Sequence, residues 1–287
     1  MDAIEMLKEA GFARVIALDA SACCAEFDHG TLLLAVWQYQ AERMAGARGA
    51  WIHPYYPASQ LAYTAAKNVV VQLGDGAQLR PDIRLKPLFA RLPMFTQGRN
   101  TLSYLEGVGS NIHVQTIYLE ETLEDLMRLE AQEHPLHCGS CRACMKACPG
   151  GAIDENGFHR EKCIRNWMLT GKSVPEELRA AMGNRLLGCD ECQRCCPHNP
   201  PAKAETTYNY PLEKLLCESK DACEELKPMI GANLALPNRV AAQACIIAGN
   251  SGCTELLPML RELEKHPSQT VGESASWAVE QLEKIEK

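Results

Sequence analysis

Nine of the fifteen cysteines fall between Cys138 and Cys196, and their spacing says more than their number. Cys138-Gly-Ser-Cys141-Arg-Ala-Cys144-Met-Lys-Ala-Cys148-Pro149 sets three thiols at intervals of three and a fourth four residues on, just before a proline. Thiolates so spaced let one short loop wrap three irons of a [4Fe-4S] cubane, while the fourth, turned away by the proline, reaches a second cluster. Zinc would be satisfied by four ligands, usually in two separated pairs, and gives no reason for the Cys-Pro ending. The run therefore predicts iron–sulfur chemistry.

A second run, Cys189-Asp-Glu-Cys192-Gln-Arg-Cys195-Cys196-Pro197, is irregular because two cysteines compete for the place before the proline. If proline marks the exchanged ligand in both runs, Cys196 mirrors Cys148, and the first cluster takes Cys138, Cys141, Cys144 and Cys196. The second then has Cys148, Cys189 and Cys192, with Cys195 and Cys163 as candidates for its fourth ligand. Adjacent Cys195 and Cys196 would have to diverge to different cubanes, which favours Cys163 and leaves Cys195 a buried thiol. Cys23, Cys24, Cys217, Cys223, Cys245 and Cys253 lack ligand spacing and read as small buried hydrophobes. His137 and His198 flank the two runs and are read as surface residues, with hydrogen bonding to a cluster sulfur as the alternative.

The cysteines need a frame. The opening reads as an α/β unit: a short helix punctuated by Ile4, Leu7 and Phe12, then strands at Val15 to Leu18 and Leu32 to Trp37. Pro57 can open a helix running through Leu61, Ala65 and Val69 to Leu73, where Gly74-Asp75-Gly76 stops it. Ile112 to Leu119 alternates like a strand, with Ile112, Val114, Thr116 and Tyr118 on one face, and Glu120 to Glu133 reads as an acidic helix ending near the boundary residue Pro135. Beyond Pro200-Pro201, Leu236 to Lys287 reads as two to three amphipathic helices broken at Gly249-Asn-Ser-Gly252 and His266-Pro-Ser268, with Ser268 a helix N-cap. That stretch resembles one HEAT-type repeat, or else an ordinary helical hairpin.

Composition excludes several classes. At 287 residues, 46% hydrophobic and 23% charged, the chain is neither disordered nor collagen-like, and its longest apolar run, Leu32 to Trp37, is too short to span a bilayer. With no basic and then apolar stretch at the start, the expectation is no membrane association and a cytoplasmic location, where an odd and clustered set of thiols is a poor fit to a disulfide framework. The net charge of −7 conceals a +4 block over residues 65–104, with Arg80, Arg84, Lys86, Arg91 and Arg99, and a +3 block over 134–203 that negatively charged clusters would consume. The first block reads as a solvated face or as a docking face for RNA, although the overall field would not steer a polyanion toward it.

The segment from Cys138 to Asn199, with Gly150-Gly-Ala-Ile153, Cys163-Ile164, Pro175-Glu-Glu-Leu-Arg179, Met182-Gly-Asn-Arg185 and Gly188-Cys-Asp-Glu-Cys192, resembles epoxyqueuosine reductase. The resemblance implies an α+β chain in three parts: an α/β domain over 1–133, shorter than the family's cobalamin-binding domain; a ferredoxin-like double [4Fe-4S] module over 134–203; and HEAT-like helices over 204–287. It also supports Cys163 as a ligand. Gly98-Arg-Asn-Thr-Leu102 looks like the family's Gly-Lys-Asn-Thr segment, which implies Arg99 and Asn100 as cofactor-binding residues, and Asp82 is the nearest match to its catalytic aspartate. The implied activity is reduction of an epoxide on a modified tRNA wobble base: a low-potential donor feeds electrons through two clusters to cobalamin, and the tRNA anticodon stem-loop is the partner. A diverged, non-catalytic two-cluster electron-transfer protein is the competing reading.

Overall fold

The structure, a computed structural model, describes residues 2–40, 42–43, 49–130, 138–201, 204–205 and 209–285. The chain divides into two units, one of Met1–Gln40, Pro57–Cys141 and Cys196–Pro200, the other of Ala41–Tyr56, Arg142–Cys195 and Pro201–Lys287.

The first unit is built on a four-stranded sheet in the order Arg14–Asp19, Thr31–Gln38, Ile112–Leu119, Ala77–Leu79. Its apolar strands are buried on both faces. Leu33, Ala35, Ile117 and Leu119 face one core with Leu7, Phe12, Ala62, Ala66 and Val69. Leu32, Leu34 and Val36, with Ile112, Val114 and Tyr118, face another built on Leu88, Leu92 and Phe95. Every pairing is antiparallel, so this unit is α+β rather than the helix-crossover α/β expected. A parallel return needs a crossover of about a dozen residues or more, usually a full helix; between Asp19 and Thr31 there is only the single turn Ala20–Cys23, and the chain comes back as a hairpin.

The helix Ala3–Glu9 is capped by Asp2, whose carboxylate accepts the Glu5 N–H at 2.8 Å. The helix Tyr55–Leu73 carries Pro57 in its first turn, where the missing N–H costs nothing. Its buried line is Ala58, Ala62, Ala66 and Val69, so Leu61 points to solvent. The acidic helix expected from Glu120 is absent over 120–130, and 131–133 lie outside the described residues. The apolar residues there are drawn to two different cores, Leu123 and Leu126 to one and Met127 and Leu129 to the other. Met127 N–H meanwhile bonds to Ala17 O at 2.8 Å. One helical face cannot serve both cores, and packing overrides propensity.

In the second unit Gly49–Ile52 is the middle strand, parallel to Arg185–Leu187 and antiparallel to Asn209–Pro211. Its core is helical, from Leu212–Cys217, Ser219–Ile230, Pro237–Ser251, Leu257–Leu263 and Gln269–Glu283. Pro237–Ser251 runs through Gly249 without a break, and left-handed Gly252 ends it. Ser268 occupies the N-cap position of Gln269–Glu283, but its hydroxyl meets the Thr270 hydroxyl instead of a backbone N–H. Cys223 and Cys245 are buried as expected, whereas Cys217 is exposed, with its Sγ 3.2 Å from Met259 Sδ. Among the described residues no helix is long and apolar enough to cross a membrane.

Candidate metal centre

Two turns and two glycines gather the sulfur atoms of the second unit. Cys144 lies in the short helix Ala143–Ala147, which packs on Glu191–Arg194, the helix that carries Cys192. Cys148 follows, its Sγ accepting the Ala152 N–H at 3.1 Å. Gly150 then passes so close to the next segment that a Cβ there would sit 2.1 Å from Lys162 O. Only glycine lets the backbone after Cys148 lie against the backbone before Cys163. Cys163 itself closes the turn Arg160–Lys162 and opens the helix Ile164–Thr170. Gly188, with φ +92° and a would-be Cβ 2.5 Å from His53 Cβ, brings Cys189 in from Arg185–Leu187.

The thiols lie within electrostatic reach of one another. Burial pushes the Cys189 thiol up to about 11; Asp190 and Cys163 add to the rise and Arg185 opposes it. Cys192 is raised further, by burial first and then by Cys189, Cys148, Cys163 and Cys195. Cys163 thus acts on both Cys189 and Cys192, whereas Cys195 acts on Cys192. As bare thiols these side chains are poor neighbours, and a set of sulfurs drawn together out of water suits a group that takes them as thiolates. Positive charge stands close by. Arg165 is within electrostatic reach of Cys163, and Arg185 donates to Glu191 Oε1 at 2.6 Å while Arg194 donates to Oε2 at 2.6 Å. Arg165 also helps burial hold His53 neutral, with its pKa depressed to about 3. His53 Nδ1 accepts the Tyr55 N–H at 3.0 Å.

The first unit holds Cys138, Cys141 and Cys196. Cys141 N–H bonds to Cys138 O at 2.9 Å, closing the turn of the first run. Facing Cys138 is a tight hairpin, Phe95–Gln97 paired with Ser103–Leu105, whose turn is Gly98-Arg-Asn-Thr-Leu102. Arg99 N–H donates to Cys138 Sγ at 3.2 Å. Thr101 adopts φ 64°, the only described non-glycine residue in the left-handed region. For a β-branched residue that strain is of order 1–3 kcal/mol.

The residues read from resemblance take other places. Asn100 is buried, its amide N donating to the Tyr104 hydroxyl at 2.7 Å and its Oδ1 accepting Leu102 N–H at 3.2 Å, so its polar atoms serve the hairpin. Asp82 sits exposed on a turn, gripped by both Arg80 Nε at 2.9 Å and Nη2 at 2.7 Å. Those bonds hold its carboxyl below the usual range, the state of an anion rather than of a proton donor. Arg80 also pairs with Glu26 and stacks over Phe27, and Arg91 Nε donates to Glu130 O at 2.7 Å, so part of the basic block is engaged within the unit. His198 is exposed, its ring edge-on to Tyr104 with centroids 5.9 Å apart; His137 lies outside the described residues. Sequence reasoning missed Tyr104, because no periodicity marks it. The tight turn at 98–102, which fixes what the returning strand faces, was the available signal.

The donor set fits iron–sulfur ligation: all-thiol, with backbone N–H groups aimed at Cys138 and Cys148 sulfur. Among the described residues no three His, Cys, Asp or Glu side chains stand at single-ion spacing.

Residues 137–199 match the family model for a 4Fe-4S double cluster binding domain. An epoxyqueuosine reductase of Francisella cf. novicida (strain Fx1) is 34% identical over 127 residues, 44% of this chain and 34% of that protein. That of Bacillus subtilis (strain 168) is 31% identical over 162 residues, 50% of this chain and 40% of that protein. These matches span about a third to two fifths of the relatives' own length. The fold is similar to that of epoxyqueuosine reductase from Streptococcus thermophilus, with a TM-score of 0.73 and 18% identity over 98% of this chain and 90% of that one. It is also similar to a crystal structure of epoxyqueuosine reductase with an epoxyqueuosine-modified tRNA-Tyr stem loop, with a TM-score of 0.71 and 19% identity over 99% and 92%. The chain therefore carries a double [4Fe-4S] module and resembles epoxyqueuosine reductases.

Proposed function

We propose that this chain is an iron–sulfur reductase of the epoxyqueuosine reductase kind, passing single electrons through two [4Fe-4S] clusters toward an epoxide on a modified tRNA wobble base. The observation that carries the reading is the convergence of Cys148, Cys163, Cys189 and Cys192 in one half-buried, arginine-flanked group. We assign that quartet to the second cluster and Cys138, Cys141, Cys144 and Cys196 to the first, with Cys195 unliganded. The backbone crossing at Gly150 and Lys162, which sets Cys163 beside Cys148, supports it over Cys195. Clusters bound there supply one-electron transfer at low potential, and an external low-potential donor is the implied partner.

The chain's own residues hold and tune. Gly150 and Gly188 bring the sulfur-bearing segments together, while Arg165 and Arg185 place positive charge against thiolates whose net charge is negative. The three-part division into 1–133, 134–203 and 204–287, with the last part HEAT-like, follows from the same resemblance. So does cobalamin, but Asn100, carried over as one of its contacts, has its amide committed to the hairpin, and Arg99 gives its backbone N–H to Cys138. Asn100 does not fit that role; cobalamin stays part of the proposal through the resemblance alone, and no step is routed through it.

For tRNA, exposed Arg84 and Lys86 are better placed to meet phosphate than Arg80. An anticodon stem-loop carrying epoxyqueuosine, incubated anaerobically with the reconstituted protein, cobalamin and a low-potential reductant, is expected to yield queuosine by mass spectrometry. Binding is expected to weaken with salt, less steeply after Arg84→Glu and Lys86→Glu. An intact epoxide in the presence of both clusters would favour the second reading, a two-cluster electron-transfer protein, which the ionised, exposed state of Asp82 supports.

A further inference from the structure

Between Cys148 and Cys163 the chain makes a small hairpin that joining the two thiols does not require. Ile153–Asp154 pairs antiparallel with Gly157–Phe158. The turn is held from within: Asp154 Oδ1 accepts the Asn156 N–H at 2.8 Å, and Asp154 Oδ2 lies 2.8 Å from His159 Nε2. Gly157 takes φ +126°, a conformation that favours glycine. Arg142 Nε donates to Glu155 Oε1 at 2.6 Å and ties the turn to the first cysteine run. Phe158 stands opposite Ile153, so the two side chains share one face of the hairpin. Ile153 is buried, yet Phe158 is 40% exposed. Among the described residues of the second unit it is the only exposed Phe, Tyr or Trp side chain.

Two hydrogen bonds connect this exposed ring to a thiol sulfur. Ala152 N–H donates to Cys148 Sγ at 3.1 Å, and Ala152 O accepts the His159 N–H at 2.8 Å. His159 is covalently joined to Phe158, so the path from sulfur to ring runs through hydrogen bonds and covalent bonds with no gap through space. Electron tunnelling weakens steeply across gaps and less along a bonded path, and a carrier has only to touch the outer end. Charge says what kind of carrier fits. Asp154 and Glu155, the acids of the hairpin, are each engaged by a neighbour, His159 and Arg142, and Glu161 lies 3.7 Å from His159 Nδ1. Lys146, Arg160 and Lys162 are exposed and form no ion pair with any described residue. The segment that holds Phe158 therefore presents an excess of positive charge to a partner.

We propose that electrons enter the second cluster through this hairpin, and that Phe158, with Lys146, Arg160 and Lys162, docks an acidic protein that carries one electron at low potential. The proposal rests on the reading of this chain as a two-cluster reductase with Cys148 as a ligand of the second cluster. One electron leaves the reduced carrier, which is oxidised by one equivalent, and the cluster is reduced by one; no bond forms or breaks. An exposed ring among cations would also serve as a stacking platform for RNA. The bonded path favours the carrier, because an RNA contact has no use for a connection to sulfur. A tip fixed by its own turn also lowers the ordering cost of docking.

Phe158→Glu removes the ring and opposes the local charge. In the reconstituted full chain its iron content is expected to equal that of the unaltered protein. Its affinity for oxidised flavodoxin, an acidic one-electron carrier, is expected to fall about tenfold by isothermal titration calorimetry, as for loss of an aromatic anchor. Stopped-flow reduction by flavodoxin hydroquinone should slow to match, while reduction by dithionite, which needs no docking, keeps its rate. Flavodoxin binding to the unaltered protein should weaken as salt rises. Affinity and rate both unchanged, or a slowing shared equally by dithionite, would overturn the proposal. So would an unaltered protein that flavodoxin neither binds nor reduces, or a variant that loses only affinity for an anticodon stem-loop, which would make the hairpin an RNA contact. Should Phe158→Glu lose iron, Phe158→Leu keeps an apolar side chain opposite Ile153 and still removes the ring: a smaller loss of flavodoxin affinity supports the proposal, and no loss refutes it. Clusters reduced by flavodoxin with the epoxide left intact would instead overturn the reductase reading and leave the entry route standing.

Discussion

Replacing Gly150 with alanine adds one methyl group at the point where two ligand-bearing segments cross. The new Cβ would stand 2.1 Å from Lys162 O, with the Lys162 carbonyl carbon at 3.3 Å and Leu178 Cδ2 at 3.4 Å. The obstacle is backbone, so no rotamer change relieves it, and the segments must separate by more than about 1 Å to reach ordinary contact. Overpacking of this kind costs about 1–3 kcal/mol, which the fold can absorb. The ligand geometry cannot absorb it as easily, because metal–ligand distances tolerate only about 0.2 Å. Cys163 is the residue after Lys162 and Cys148 lies two before Gly150, so the displacement falls between two ligands of the second cluster. The variant is expected to remain folded by circular dichroism and to bind about four irons instead of about eight after reconstitution, with the spectrum of the surviving cluster unchanged. Full iron content with an unaltered spectrum would refute the argument that this crossing sets the Cys148–Cys163 geometry.

Cys163→Ala is expected to lose or damage one cluster while Cys195→Ala keeps both, as read by iron analysis; the opposite result would reassign the fourth ligand to Cys195. Asp82→Asn is expected to leave turnover within about twofold in the mass-spectrometric assay, since an exposed carboxylate held ionised by Arg80 is no proton donor at neutral pH; abolished turnover would return it to the catalytic role. Burial depresses the His113 pKa to about 4. The unfolded imidazole takes up its proton near 6.5 and the native one not until about 4, so stability is lost as pH falls through that window, by an amount on the order of 2–3 kcal/mol. Urea midpoints at pH 6.5 and 4.5 measure this, and His113→Gln should flatten the slope.

The cluster chemistry was legible in the chain because it is local: intervals of three between thiols and a following proline are properties of a short loop, whatever surrounds it. The long apolar strands were legible for the same kind of reason, since Thr31–Gln38 and Ile112–Leu119 are bounded by turn residues and too short for buried helices. The choice between Cys163 and Cys195 could be argued from adjacency, but the support comes from a backbone crossing at Gly150 and Lys162 that no spacing rule contains. Residues 120–130 read as a helix and are not one, because two separate cores compete for Leu123, Leu126, Met127 and Leu129. Asp82 and Asn100 were carried over by position in a motif, whereas their chemistry depends on partners: Arg80 two residues away for one, and Tyr104 across a hairpin for the other. Sequence specifies what a side chain can donate, accept or ligate; which of these it does is decided by the neighbours that folding supplies, often from distant parts of the chain, and by how far water is excluded from them.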